Sequence, residues 1–175
     1  MTEMDRRDFM KTIAISGAVL ATGVSLLHKP LEAAPSAGQV EVLWLGHSTF
    51  RITSTTGKVI VIDPYLTMNS RTPTKYKDLK ALGKVDLILV THGHNDHIAD
   101  LPELAKLTGA TVVGNNELAS NLVSLGFLDG AKTILMNKGG TVAPLGPGIK
   151  VHMVAANHSS SVDLVAIKPD ATGVR

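Results

Sequence analysis

The stretch Thr91-His92-Gly93-His94-Asn95-Asp96-His97 places three imidazoles and one carboxylate within six residues. Neutral imidazoles clustered with a carboxylate suit Zn2+ and similar divalent ions. The bland alternative is a polar loop of solvated histidines. The chain contains no Cys, so a thiolate site and a disulfide framework are both excluded. Any metal must be held by His, Asp, Glu, backbone or water.

The elements around the motif place it. Val85-Asp86-Leu87-Ile88-Leu89-Val90 is short and apolar and reads as a buried parallel strand. The histidines begin where it ends, and open α/β sheets place their ligand sites there. Gly93 offers a tight turn between two ligands, and His92 and His94 share one face of an extended stretch. A longer strand over 149–155 delivers His158 in Asn157-His158-Ser159-Ser160-Ser161.

Upstream, 40–45, 49–53 and 58–62 read as strands, with a hairpin turn at Ser54-Thr55-Thr56-Gly57. The last of these strands ends at Asp63-Pro64. A loop over 67–74 and a short helix over 76–82, stopped by Gly83, precede the motif strand. Asp100 with Glu103 has the spacing of a capping box opening a helix that Gly109 ends. A strand at 110–113, a helix at 116–125, and strands at 132–135, 141–143 and 162–167 follow. Strands alternating with helices make the class α/β.

His-x-His-x-Asp-His after an apolar strand resembles the metallo-β-lactamase superfamily. The stretches Val42-Leu43-Trp44-Leu45-Gly46-His47-Ser48-Thr49-Phe50 and Ile62-Asp63-Pro64-Tyr65-Leu66 are similar to its ascorbate-6-phosphate lactonase-like branch. The likeness covers residues 39–162 and implies an αββα sandwich, of which this chain holds the N-terminal half to two-thirds. It implies that His92, His94 and His158 hold one metal, and that Asp96 and His97 hold a second. The expected cofactor is Zn2+, as one or two divalent ions, with Mn2+ or Fe2+ as substitutes. Asp96 then orients the attacking water, and a metal-bound hydroxide attacks an ester, lactone or phosphoester bond. His47 is a second catalytic candidate, donating to substrate or to a carboxylate; the competing reading is a structural histidine in a strand bend. Asp63 either orients a metal-bound histidine or belongs to an Asp-Pro turn. His152, alternating inside a strand, reads as structural. The resemblance also implies a bridging Asp in a Gly-Asp context and a late His. Asp163 and Asp170 stand in other contexts, which leaves the second metal with Asp96 and His97.

Residues 1–37 read as a twin-arginine signal segment: Arg6-Arg7, then Phe9 and Lys11, precede an apolar run over 12–27. His28 falls inside it. The expected location is the periplasm, with no membrane attachment after cleavage. Residues 38–175 then form a truncated hydrolase domain. A net charge of +2 and 3% aromatic residues argue against nucleic acid and leave a small-molecule substrate. A sheet face missing its partner layer would expose apolar side chains and invite self-association. The leading expectation is a metal-dependent hydrolase; the alternative is an impaired remnant that binds metal without turnover.

Overall fold

The structure, a computed structural model, describes residues 38–163. The expected signal segment, with His28, lies outside them, as do Asp170 and most of the expected last strand. Six strands form one sheet in chain order: β1 (Glu41–Trp44), β2 (Phe50–Thr53), β3 (Val59–Ile62), β4 (Leu87–Leu89), β5 (Thr111–Asn115) and β6 (Thr133–Met136). β1 to β3 are antiparallel, and β3 to β6 are parallel. The short turn at 54–57 permits the antiparallel pairing. The parallel pairs need crossovers, which α1 (Asn95–Ile98), α2 (Leu101–Thr108) and α3 (Asn116–Ser124) help supply. The mixed α/β fold is therefore the expected one.

Strand alternation divides the apolar residues between two faces. Val59, Val61, Ile88 and Val112 pack with Leu101, Leu104, Leu118 and Leu122 from α2 and α3. Ile60, Leu87, Val113 and Met136 form a second cluster on the other face, partly covered by Leu145, Ile149 and Met153. That cover comes from a segment holding the small pair β7 (Thr141–Val142) and β8 (Val151–His152). The sheet face expected to be bare is instead covered at Ile60, Leu87, Val113 and Met136; exposed apolar side chains remain at β1, where Val42 is 60% and Trp44 51% exposed.

Three local expectations need correction. The helix over 76–82 is two 3-10 turns, Thr74–Lys77 and Leu79–Leu82, because Asp78 is extended between them. The long strand over 149–155 shrinks to two residues; Met153 N and O are used by Gly140 and Gly139, and the chain then leaves the sheet. Asp100 does not cap α2. Its buried carboxylate accepts from Leu66 N, Thr67 N and Thr67 Oγ1 instead, tying the loop after β3 to the start of α2. Among the described residues no helix is long and apolar enough to cross a membrane.

Candidate metal centre

β3 and β4 run parallel in register, so Asp63 and the histidine motif emerge side by side at their C-terminal ends. Asp63 is the hub. It is 2% exposed, and its carboxylate accepts from Thr91 N, Thr91 Oγ1 and His97 Nδ1, each at 2.8 Å. Its backbone is left-handed, with φ 46°, a conformation costing a non-glycine residue roughly 1 kcal/mol. Thr49, fully buried, donates to the Asp63 carbonyl at 2.7 Å and holds it there. The orienting role expected of Asp63 is thus the one its contacts serve.

These bonds decide the histidine tautomers. The Thr91 hydroxyl proton goes to Asp63, so Thr91 Oγ1 accepts from His92 Nδ1, 3.0 Å away. His92 Nε2 keeps its lone pair and faces His94 Nδ1 at 3.0 Å. His97 Nδ1 likewise faces Asp63, with Ser48 Oγ at 3.0 Å, which leaves the lone pair of its Nε2 free. Burial pushes the His92 pKa down from its ordinary value, and the charges of His97, His94 and His158 push it the same way, against Asp63. A histidine kept neutral is a histidine ready to ligate.

The structure brings His158 to this pair. The His158 ring lies 4.7 Å from His92 and 5.0 Å from His94 by centroid. The three ligand atoms fall within 4.8 Å of one another. His158 arrives on an exposed strap rather than a strand, and the strap is fastened to the motif where Gly93 N donates to Ser160 Oγ at 3.0 Å. The need for glycine at 93 is therefore space, not a turn. A Cβ there would stand 2.8 Å from the Ser161 carbonyl and 2.9 Å from Val162 Cγ2.

Asp96 and His97 sit on the single turn of α1, and His47 reaches them from the tip between β1 and β2. His47 Nε2 is 3.0 Å from Asp96 Oδ2, and these three residues form a second group with ligand atoms within 4.8 Å. The β1–β2 hairpin tip thus brings His47 beside Asp96 and His97, the pair expected to stand alone at a second metal. His152 pairs with Thr141 at 2.7 Å and stays structural. Ser48 and Ser160 were not anticipated. Ser48 adjoins His47 in the sequence, but nothing local announces the role of Ser160.

His92, His94 and His97 are half-buried and His158 is exposed, and none of them lines the cavity of about 680 Å3 beside Pro102, Phe127 and Lys132. A groove of about 470 Å3 adjoins the strap at Ser160 and Ser161 and is also lined by Asn115, Asn121 and Lys138.

Residues 58–175 match the model of the beta-lactamase superfamily domain. A metal-dependent hydrolase named UPF0173 from Cupriavidus necator is 49% identical over 92% of this chain and 56% of its own length. One from Cupriavidus taiwanensis is 54% identical over 79% of this chain and 48% of its own. The chain thus spans about half the length of the curated relatives it matches. The solved structure of Igni18, a metallo hydrolase from the archaeon Ignicoccus hospitalis, is similar with TM-score 0.61 and 34% identity. The likeness covers 69% of this chain and 50% of that one.

Proposed function

Because this chain belongs to the metallo-β-lactamase superfamily, in the family whose curated members are named UPF0173 metal-dependent hydrolases, we propose that it is a hydrolase working with a divalent cation held by His92, His94 and His158. The observation that carries this reading is the meeting of three imidazoles from two distant segments, with ligand atoms within 4.8 Å. The donor set fits such an ion. Across a tetrahedral site with bonds of about 2.0–2.1 Å, ligand atoms stand about 3.4 Å apart. Three nitrogens leave a fourth position for water or substrate, and Zn2+ is the ion that best suits them; Mn2+ and Fe2+ share these ligands.

When bound, the cation supplies Lewis acidity and a water that ionises near neutral pH. The chain supplies the rest. Thr91 holds the His92 proton on Nδ1, so Nε2 faces the site. His94 presents Nδ1 when its own proton sits on Nε2, toward Ser159 Oγ at 3.5 Å. Asp96, its side chain 49% exposed, orients the attacking water and accepts its proton. Buried Asp63 keeps His97 turned toward Asp96.

Substrates are small molecules carrying an ester, lactone or phosphoester bond. The His47 and Asp63 stretches, similar to the ascorbate-6-phosphate lactonase-like branch, support this choice. The groove at Ser160 and Lys138 has donors for a polar or anionic substituent. Hydrolysis of a panel of lactones and phosphoesters by Zn2+-loaded protein tests it. Turnover lost on His158→Ala is expected; turnover unchanged in that variant sinks the reading.

The second reading, metal binding without turnover, is favoured by the exposure of His158 and its strap. Metal uptake with no hydrolysis across the panel would select it. We also propose export to the periplasm, on the strength of Arg6-Arg7 before the apolar run. Cell fractionation of an Arg6→Lys, Arg7→Lys double variant tests it: precursor retained in the cytoplasm is expected, and unchanged export would reject it.

A further inference from the structure

We propose that the groove between α3, the β6–β7 turn and the strap is a subsite for an anionic substituent of the substrate, and that Lys138 selects for it. The substituent is a carboxylate or phosphate set apart from the scissile bond. The proposal rests on the hydrolase reading above and narrows its substrates to molecules carrying a second negative group.

The groove starts beside the metal centre. Ser160 Oγ accepts from Gly93 N at 3.0 Å, between His92 and His94, and Ser159 Oγ lies 3.5 Å from His94 Nε2. A molecule held at the three imidazoles therefore has this groove next to it. The space is about 470 Å3, and Asn115, Asn121, Lys138, Ser160 and Ser161 give it a polar wall.

The donors of that wall are uncommitted. Among the described residues, Lys138 Nζ and the Asn121 side-chain amide make no hydrogen bond or ion pair. Asn115 accepts from Leu118 N through Oδ1 at 2.9 Å, which leaves its amide N–H groups to donate. Ser160 Oγ is an acceptor toward Gly93, so its hydroxyl proton is also available. Lys138 is the one cation among the lining residues, and the turn that carries it is fastened. Gly139 N donates to the Met153 carbonyl at 2.7 Å, and Gly140 N to the Asn137 carbonyl at 2.9 Å. Glu117 lines the same groove from the first turn of α3, where the helix dipole favours an acid. A bound anion therefore sits on the Lys138 side and is repelled by Glu117.

The test measures binding to the Zn2+-loaded 175-residue chain by calorimetry. The probes are valerate, glutarate and phosphonobutyrate. Each offers one carboxylate to the cation, and the last two add a second anionic group for the groove. Both dianions, or the one whose group fits, should bind about fivefold tighter than valerate, the scale of an ion pair open to water. The tighter of the two tells phosphate from carboxylate. Lys138→Met should erase the preference, Glu117→Gln should widen it, and valerate affinity should stay constant in both variants. With para-nitrophenyl esters, Lys138→Met should raise KM for the glutarate monoester, leaving its kcat and the valerate ester unchanged. Equal affinities for the three probes, or a preference that survives in Lys138→Met, overturn the subsite; hydrolysis of both esters by that same chain keeps the proposed function. Ranked binding without hydrolysis of either ester keeps the subsite and removes the turnover. A chain that takes up no Zn2+ loses both.

Discussion

At the scale of single residues, Asp63 and His92 carry the sharpest consequences. Asp63 is buried and serves three donors, so Asp63→Ala leaves Thr91 N without an acceptor and frees the His97 ring. A cost of about 1–3 kcal/mol follows from an orphaned buried donor. Loss of an outer partner typically weakens metal affinity about 10–100-fold. Chemical denaturation and competitive chelation measure the two effects separately. His92 makes metal-free stability pH-dependent. Its folded pKa is depressed, by burial first and then by its neighbouring imidazoles, whereas the unfolded chain takes up the proton near the ordinary value of 6.5. Stability is therefore complete above that value and falls as pH drops through it toward the lower folded pKa. The melting temperature of the metal-free protein should decline as pH falls through 6.5 toward the lower folded pKa, more steeply than that of His92→Gln. Equal slopes would show that His92 is not responsible.

At the scale of elements, the site depends on how a loop, a hairpin tip and a strap are fastened to the sheet. Gly93→Ala forces a Cβ against the Ser161 carbonyl and Val162. The strap must shift and carry His158 with it. The expected outcome is weaker binding at the three-histidine group with little change in secondary structure, read by Co2+ titration and circular dichroism. The other end of β4 is fastened by Asp86. Burial alone would raise its pKa, but Lys84, the Val59 amide and Lys58 outweigh it and hold the carboxyl below its usual range. Val59 N donates to Asp86 Oδ2 at 3.0 Å, and Lys84 Nζ lies 2.8 Å from Oδ1. Asp86→Ala should cost about 1–3 kcal/mol, mostly from the unpaired Val59 amide. The difference from the unaltered chain should shrink once pH falls below the depressed pKa, because the carboxylate contributes only while ionised. Urea unfolding at neutral and acid pH checks both statements.

At the scale of the whole molecule, the proposed cation would link metal binding to the fold. The strap bearing His158 is exposed, and the Gly93–Ser160 hydrogen bond ties it to the motif backbone. A cation shared by His92, His94 and His158 adds a cross-link between the sheet and that strap. Binding to the folded chain alone stabilises by about 2.7 kcal/mol when free ion stands at 100 times its Kd. Zn2+ should therefore raise the melting temperature by several degrees, and a chelator should reverse the shift. Hydrogen exchange across 156–163 should slow on loading, whereas exchange in β3 to β5, already buried, should change little. A melting temperature indifferent to both metal and chelator would remove the linkage.

The amino-acid sequence alone determined the parts of this protein that depend on local chemistry. Short apolar runs with β-branched residues marked β3, β4 and β5, because burial on both faces demands them. Glycine at 57, 83 and 109 marked turns and a helix end. The cluster from His92 to His97 announced a metal because few other sites need three imidazoles so close together. Tertiary structure alone decided everything that joins distant segments. It turned Asp100 from a helix cap into an anchor for the loop at 66–67, since a buried carboxylate satisfies whichever amides the fold brings to it. It made Gly93 a matter of clearance, because the strap that crowds it lies far along the chain. It set His47 beside Asp96 and His97, a proximity that no spacing encodes, because the hairpin tip meets α1 only when β1, β2 and β3 have paired.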